Sequence, residues 1–343
     1  MTTTKELLTV ALNGGTPEIT PYSLYSWMMD DPNADKWKRL FDMGLGTSEH
    51  CGVVGHIEHG VENIHEEKIE GNNRYTIYKK KTPIGTIEQI HLNGWHYQSF
   101  IKTPQDYKIM QWITENTELK TYYESYERSE QIAGNKGVVI VSASRTPAMT
   151  INVDWAGTQQ FCLDVAMEVP ELFDLYEARK KLILEEYRLI AEGPGRFVKI
   201  WENLTISMLG PKRYEELLLS FYNECMPAFE KGGKKVMVHY DGGLSVIKDQ
   251  IKKAPFHIIE SLTEPPEGDM TYDQCREAWQ EKIFLGNINI AHYYKPEKEL
   301  REAIIGMRER AGKKAFAFEI SEDLPRNWQT SIPIILDTLK ELK

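Results

Sequence analysis

Eight short segments, most of them apolar and each followed by a helix or a loop, constrain the fold of this chain more than any other feature; the second is the weakest of them. The predicted strands are residues 19–25, 44–50, 137–142, 197–201, 235–239, 256–260, 282–288 and 314–318. None of the segments in the second half alternates apolar with polar residues, so both faces of the sheet are predicted to be buried. Eight strand–helix units in 343 residues predict an α/β fold, a (β/α)8 TIM barrel.

A doubly wound open sheet is the alternative architecture. Its nucleotide-binding members carry a G-x-G-x-x-G turn after the first strand or a G-x-x-x-x-G-K-[ST] loop. Neither motif occurs in this sequence, so the barrel is the preferred prediction.

One excursion interrupts the strand–helix alternation in the first half of the chain. Residues 74–79 and 86–91 alternate apolar with polar residues on either side of Thr82-Pro83-Ile84-Gly85. Two such runs around a Pro/Gly turn predict an antiparallel β-hairpin. We therefore expect residues 1–343 to form a single TIM-barrel domain with an N-terminal β-hairpin insertion at roughly residues 55–100.

Composition argues against several classes of protein. The net charge of -10 and the pI near 5.5 disfavour a nucleic-acid-binding protein, which needs a basic face. No apolar run approaches the ~20 residues that cross a bilayer, and the polar residues 1–6 are unlike a secretory signal. Cys51, Cys162, Cys225 and Cys275 are widely scattered, which predicts buried free thiols. We expect a cytoplasmic protein without membrane association.

Polar residues follow the predicted strands at their carboxyl ends. They are Glu202 and Asn203 after the fourth strand, His239 and Asp241 after the fifth, Glu260 after the sixth, Asn287 after the seventh, and Glu319 and Glu322 after the eighth. In a barrel these ends open into one mouth. Carboxylates gathered there raise one another's pKa, and a cation relieves the repulsion. Because one histidine with two carboxylates is a common catalytic zinc set, the pattern predicts a metal site that includes His239.

Aromatic residues lie at or just beyond the predicted strand ends. They are Tyr25, Trp27, Trp155 and Tyr240. Aromatic side chains beside a metal would suit a planar substrate, so we predict that these four, with Asn203 and Asn287, bind the substrate.

A group of four histidines lies between residues 50 and 65. His56, His59 and His65 fall in a stretch rich in Gly and Glu that is typical of a solvated loop. His50 is the exception, because it ends the second predicted strand.

Several short motifs, in their order along the chain, resemble the uroporphyrinogen decarboxylase superfamily and in particular its cobalamin-dependent methyltransferase branch. The motifs are His-Tyr-Asp-Gly at 239–242, Pro-Pro-Glu-Gly-Asp at 265–269, Gly-Asn at 286–287 and Ser-Glu-Asp-Leu-Pro at 321–325. The resemblance covers nearly the whole chain and implies the same barrel fold.

Two departures from the family narrow the expectation. Decarboxylases of this superfamily grip the carboxylates of their substrate with an arginine-rich N-terminal segment, whereas residues 21–29 contain no basic residue. Thiol-methylating relatives hold zinc with a His-x-Cys pair and a later Cys, and this chain has Asp241 and Glu322 in those places. The first departure disfavours decarboxylation, and the second disfavours methylation of a thiol.

The resemblance is closest to relatives that remove methyl groups from aryl methyl ethers, which use a Glu…Glu…His zinc motif. Glu202, Glu216 and His239 occur in that order, but their spacing departs from the family pattern and Glu216 lies in the middle of a predicted helix. The resemblance implies that Glu202, His239 and Glu322 hold zinc. Asp241 would orient His239 or accept a proton, or it would replace one of the two glutamates as a zinc ligand. Glu319 is the alternative to Glu322 as the third zinc ligand.

The expected activity is a zinc-dependent methyltransferase of the O-demethylase type. It would cleave the methyl group from a methoxylated aromatic compound and pass it to the Co(I) corrinoid (cobalamin) of a partner protein. Two alternatives remain: a corrinoid methyltransferase of the same branch that uses an amine, alcohol or thiol donor, and a metal-free enzyme resembling uroporphyrinogen decarboxylase. The sequence leaves the oligomeric state open, a homodimer included.

Overall fold

The computed structural model describes residues 2–204 and 206–342. Its strands, in chain order, are β1 (Tyr22–Tyr25), β2 (Leu45–Gly52), β3 (Val54–Glu58), β4 (Glu62–Glu70), β5 (Asn73–Thr82), β6 (Gly85–Leu92), β7 (Trp95–Gln98), β8 (Thr117–Thr121), β9 (Gly137–Ala143), β10 (Phe197–Ile200), β11 (Lys235–His239), β12 (Ile258–Thr263), β13 (Ile283–Asn287) and β14 (Phe316–Ile320).

The helices are also numbered in chain order. They are α1 (Thr4–Leu12), α2 (Asp35–Asp42), α3 (Pro104–Glu115), α4 (Glu124–Ala133), α5 (Pro147–Met149), α6 (Thr158–Ala166), α7 (Pro170–Glu192), α8 (Ile206–Arg213), α9 (Ser220–Lys231), α10 (Lys248–Lys253), α11 (Tyr272–Ala278), α12 (Ile290–Tyr293), α13 (Glu297–Ala311) and α14 (Trp328–Glu341). Short 3₁₀ turns span Ser26–Met28 and Ser245–Ile247, and π-helical segments span Thr150–Ala156 and Tyr214–Leu219.

Eight parallel strands close into a barrel in the order β1-β14-β13-β12-β11-β10-β9-β2. Each strand pairs with the strand that precedes or follows it within this set, as in a (β/α)8 barrel. The predicted TIM barrel is therefore confirmed. All eight predicted segments overlap a barrel strand, and the continuous apolar runs among them are typical of strands buried on both faces.

The chain divides into two compact units. The first comprises residues 1–53, 123–143 and 190–343 and contains all eight barrel strands. The second comprises residues 54–122 and 144–189.

Helix α1 packs against the barrel core. Leu8 and Leu12 are 1% exposed and belong to one apolar cluster with Ile140, Met237 and other strand residues. The helix begins with a capping box, in which Thr3 accepts from the Glu6 backbone and the Glu6 side chain accepts from the Thr3 backbone.

The second unit contains two antiparallel sheets. Strands β5 and β6 pair antiparallel, which confirms the hairpin predicted around Thr82–Gly85. β4 and β7 extend this hairpin to a four-stranded sheet, and β3 pairs with β8 in a separate two-stranded sheet. The sequence prediction missed these four strands because their polar composition hides the strand pattern. His56 and His59 lie on β3 or directly after it, and each bonds a glutamate, Glu186 and Glu118, at 2.8 Å.

The four cysteines are free, as predicted. Cys51, Cys225 and Cys275 are buried, and Cys162 is partly exposed. Among the helices that the structure describes, none combines the length and the apolar character needed to cross a membrane.

We expect Gly137→Ala to destabilise the barrel by about 1–3 kcal/mol, since a methyl group there would collide with the side chain and carbonyl of Thr47 on β2. Gly52→Ala is a matched control, because Gly52 lies on β2 with no atom within 4 Å of the added Cβ. Urea denaturation of both variants measures the difference. Equal midpoints for the two variants would contradict this packing constraint.

Candidate metal centre and active site

The side chains that point into the barrel near its carboxyl end follow the alternation of the strands. Lys199 on β10, His239 on β11, Glu260 on β12 and Glu319 on β14 are all at most 4% exposed. His239 and Glu260 are directly opposed in the strand register, so their side chains meet on the same face. The sequence therefore assembles four titratable groups inside one barrel.

The centre of this group is an ion pair between Lys199 and Glu260. The Nζ and Oε2 atoms are 2.8 Å apart, and both side chains are fully buried. Lys199 also donates to the hydroxyl of Tyr25 at 2.5 Å, and that hydroxyl donates to Glu260 Oε1 at 2.5 Å. Burial raises the pKa of Glu260, but Lys199 and His239 together hold that pKa well below its usual value.

Glu260 also fixes the orientation of His239. The Nδ1 atom of His239 lies 2.7 Å from Glu260 Oε2, and since an ionised carboxylate only accepts, Nδ1 is the protonated nitrogen. Nε2 is then the basic nitrogen, and it lies 3.8 Å from Glu322 Oε1. A carboxylate behind a histidine in this way is the usual support for a metal-binding imidazole.

Glu319 completes the buried charge cluster. It accepts hydrogen bonds from Ser48 and from Ser23, the latter at 3.3 Å, while its Oε2 is buried without a partner among the described residues. Burial and the charge of Glu260 raise the pKa of Glu319 to about 8. Glu319 therefore carries a proton at neutral pH, and Glu260 carries the negative charge.

His239, Asp241 and Glu322 form the three-residue cluster that could hold a metal ion. One ligand atom from each lies within 4.8 Å of the other two, and the residues are buried, half-buried and exposed, respectively. One imidazole nitrogen with two carboxylate oxygens matches catalytic zinc in donor type and leaves a position open. The donor set therefore fits the metal that the sequence predicts.

A bulge in β12 supports the third member of this metal cluster. The register between β12 and β13 shifts between Glu260 and Leu262, and Ser261 adopts a positive φ of 63°. Bulges commonly redirect a side chain next to a functional site. Here Ser261 donates to Glu322 Oε1 at 2.7 Å and is itself bonded by Ser321 at 2.8 Å.

A cavity of about 470 Å³ opens beside the metal cluster. Asp241 and Glu322 line it, together with Glu267, Asp269 and Thr263. The lining is strongly acidic, so the cavity favours neutral or cationic ligands over anions.

An aromatic cluster contacts His239 through Trp201. It comprises Tyr25, Trp27, His50 and Trp201, whose ring centroids are 4.4–5.9 Å apart. The Trp201 ring is 5.8 Å from that of His239, and Lys199 Nζ lies 3.5 Å from the Trp201 centroid. Trp27 is 55% exposed, so this cluster reaches the solvent.

Two predicted site residues point away from the mouth, because alternate residues of a strand face opposite sides. Glu202 is fully buried and accepts from Tyr222 at 2.6 Å, and the metal cluster contains Asp241 in its place. Tyr240 is also fully buried and bonds Tyr214 and Tyr222 at 3.1 and 2.9 Å, so the prediction that it contacts the substrate is wrong.

The remaining predicted residues have mixed outcomes. Asn287 ends β13, where its amide donates to Thr263 at 3.2 Å, and Asn203 follows β10 with a φ of 50°. Trp155 is not at a strand end: it lies in a π-helical segment of the second unit and packs against Arg179 at 5.2 Å. Glu216 is half-exposed and pairs with Arg213 at 2.7 Å. None of these four belongs to the metal cluster found among the described residues.

Sequence reasoning missed Lys199 and Trp201, although both carried a signal. Lys199 is a charged residue in the middle of an apolar strand, and such a residue needs a buried partner. Trp201 is two residues further on and therefore faces the same side.

Comparisons with known proteins show similarity of fold alone. No family model and no curated protein matches the chain. Among solved structures, a B12-independent methionine synthase from Shewanella sp. W3-18-1 has 9% identity and a TM-score of 0.47 over 90% of this chain and 85% of that one. A GH20 module of the pneumococcal exo-β-D-N-acetylglucosaminidase StrH has 11% identity and a TM-score of 0.41 over 93% and 85%. The D-psicose 3-epimerase of Clostridium cellulolyticum H10 has 10% identity and a TM-score of 0.37 over 64% and 83%.

We expect zinc to bind at about one ion per chain through the cluster of His239, Asp241 and Glu322. Asp241→Asn should lower the affinity for zinc by roughly tenfold or more, because it removes a charged ligand. Glu202→Gln is the matched control and should leave the affinity unchanged, since Glu202 is outside the cluster. Competition with a zinc chelator measures both variants, and a larger loss in Glu202→Gln would restore the ligand set predicted from the sequence.

We expect the stability of the protein to depend on the proton held by Glu319. The folded carboxyl keeps this proton up to about pH 8 and the unfolded one only to about its ordinary pKa of 4.5, so folding takes up a proton between these values. The free energy of unfolding should therefore fall with rising pH in this window, by on the order of 1 kcal/mol per pH unit.

Glu319→Gln keeps a neutral side chain at every pH and should lose this component of the pH dependence. Urea denaturation of the wild type and the variant at pH 5, 6, 7 and 8 makes the comparison. Parallel stability curves would show that Glu319 is ionised in the folded protein.

Proposed function

We propose that this protein is a zinc-dependent methyltransferase that takes the methyl group of a methoxylated aromatic compound and passes it to the Co(I) corrinoid of a partner protein. The observation that carries the proposal is the cluster of His239, Asp241 and Glu322, which lies at the carboxyl end of a closed barrel next to an aromatic cluster. The sequence motifs that resemble the cobalamin-dependent branch of the uroporphyrinogen decarboxylase superfamily support the same proposal.

The chemistry of the donor set favours an oxygen-bound methyl group. Zinc held by one imidazole and two carboxylates is a stronger Lewis acid toward an ether oxygen than zinc held by thiolates. The leaving group of an aryl methyl ether is a phenolate, and the phenol pKa of ~10 makes this an easier departure than that of an aliphatic alkoxide. The methyl group moves without its bonding electrons, which stay on the phenolate oxygen.

The residues of the chain would position the donor and the metal. Glu260 holds His239 with Nε2 directed toward Glu322, so the imidazole needs no reorientation when metal binds. Trp27 and Trp201 offer flat apolar surfaces on which an aromatic ring can stack, whereas Tyr25 is buried beneath them at 2% exposure. Position and electrostatics are what a protein contributes when a corrinoid supplies the reactive centre.

A methylamine donor is the second candidate, and the acidic cavity favours it. Glu267 and Asp269 line that cavity in addition to the two carboxylates of the metal cluster. A protonated or quaternary amine would be attracted by this lining. The proposed branch of the superfamily is the same for both donors, and only the methyl donor differs.

We expect zinc-loaded protein to transfer methyl groups from 4-methoxyphenol to free cob(I)alamin or to a corrinoid protein, with loss of the Co(I) absorbance as the readout. His239→Ala should reduce the rate by roughly 100-fold or more, because the imidazole ligand is lost. Glu216→Gln should keep the rate, because Glu216 pairs with Arg213 on the surface.

A donor panel with trimethylamine and methanol in the same assay distinguishes the candidates. Transfer from trimethylamine alone would replace the first proposal with the second. No transfer from any donor by zinc-loaded protein would refute both.

A further inference from the structure

His50 is a partly exposed residue of the aromatic cluster whose two ring nitrogens are nevertheless shielded from solvent. Neither nitrogen makes a hydrogen bond of standard geometry among the described residues, although the Ser48 backbone interacts with the ring. The ring is surrounded instead by Tyr25, Trp27 and Trp201, with centroids 4.9, 4.8 and 5.1 Å away. A buried polar group without a partner is costly, and at the mouth of a barrel it points to a ligand that supplies one.

The position of His50 on its strand makes it part of the site. His50 lies near the carboxyl end of β2, two residues after Ser48, so both side chains face the barrel interior. Ser48 is already committed to Glu319. His50 is thus the second inward-facing polar residue of this strand, and the neighbouring strands leave it without a bond.

The imidazole of His50 is neutral. Burial lowers its pKa well below the usual value, and the adjacent Lys199 lowers it further. A neutral imidazole offers one N–H donor and one nitrogen acceptor. A hydroxyl group can pair with either nitrogen, whereas a carboxylate can only accept from the N–H.

The charges around the site select between these two partners. Asp241, Glu322 and Glu267 line the cavity beside the metal cluster, and Lys199 is already neutralised by its ion pair with Glu260. An anionic substituent would enter a field that repels it. A neutral hydroxyl meets no such penalty.

We infer that His50 is a specificity-determining residue that hydrogen-bonds a neutral hydroxyl substituent on the aromatic methyl donor, so that the site takes methoxyphenols in preference to methoxybenzoates and to unsubstituted anisole. The inference rests on the proposed function, because it concerns the ring of the proposed methyl donor. It assigns to His50 a role in binding and not in cleavage of the ether.

The test is equilibrium binding, measured by isothermal titration calorimetry with 4-methoxyphenol, anisole and 4-methoxybenzoate. One hydrogen bond to a buried group corresponds to about a tenfold difference in affinity. The wild type should therefore bind 4-methoxyphenol about tenfold or more tightly than either of the other two compounds. His50→Phe, which keeps an aromatic ring in the cluster, should bind 4-methoxyphenol and anisole equally.

Two further variants make the result specific to His50. His59→Phe is the matched control, because His59 bonds Glu118 in the second unit, and it should discriminate as the wild type does. His50→Gln keeps a hydrogen-bond donor and an acceptor, so it should retain part of the preference for 4-methoxyphenol over anisole. This variant provides the test if His50→Phe does not fold.

The outcomes separate this inference from the proposed function. Equal affinities in the wild type, a preference that survives in His50→Phe, or no measurable binding of 4-methoxyphenol would each overturn the role of His50. The expected binding pattern without methyl transfer in the cob(I)alamin assay would leave His50 as a hydroxyl-binding residue and refute the methyltransferase.

Discussion

The ion pair between Lys199 and Glu260 is the interaction on which the candidate site depends. Both side chains are fully buried. Two buried charges are tolerated only when they are paired and their hydrogen bonds are satisfied. Glu260 meets this demand with three donors: Lys199, Tyr25 and His239. The same bonds that stabilise the buried charge therefore fix the tautomer of His239 and direct Nε2 toward the metal cluster.

The fold could be predicted from the sequence more completely than the site. Apolar runs such as residues 235–239 identify a strand buried on both faces, and the structure has that strand at Lys235–His239. In the second unit the β5–β6 hairpin was predicted, but β3, β4, β7 and β8 escaped prediction, and β4 and β8 are mostly polar and exposed. Their pairing depends on neighbours in space, which a single sequence does not display.

The errors in the site come from side-chain direction and not from strand assignment. His239 and Asp241 are two residues apart and share a face, whereas Tyr240 between them faces the opposite side. The same parity puts Lys199 and Trp201 inward and directs Glu202 toward Tyr222. Counting alternate residues along β10 from an inward-facing anchor would have found Lys199. The bulge at Ser261, which directs that side chain toward Glu322, would still have been missed.

The charges of the cluster also favour its outer edge as the place where a metal ion would bind. Lys199 neutralises Glu260, and a proton neutralises Glu319, whose pKa is raised to about 8 by burial and by Glu260. Asp241 and Glu322 remain, and burial together with the charges of Asp241 and Glu260 raises the pKa of Glu322 although Ser261 and His239 oppose the shift. A divalent cation at His239, Asp241 and Glu322 would neutralise this last pair. The inner carboxylates are already neutralised, Glu319 by its proton and Glu260 by the ammonium group of Lys199. A cation bound at these inner positions would therefore gain less electrostatic stabilisation.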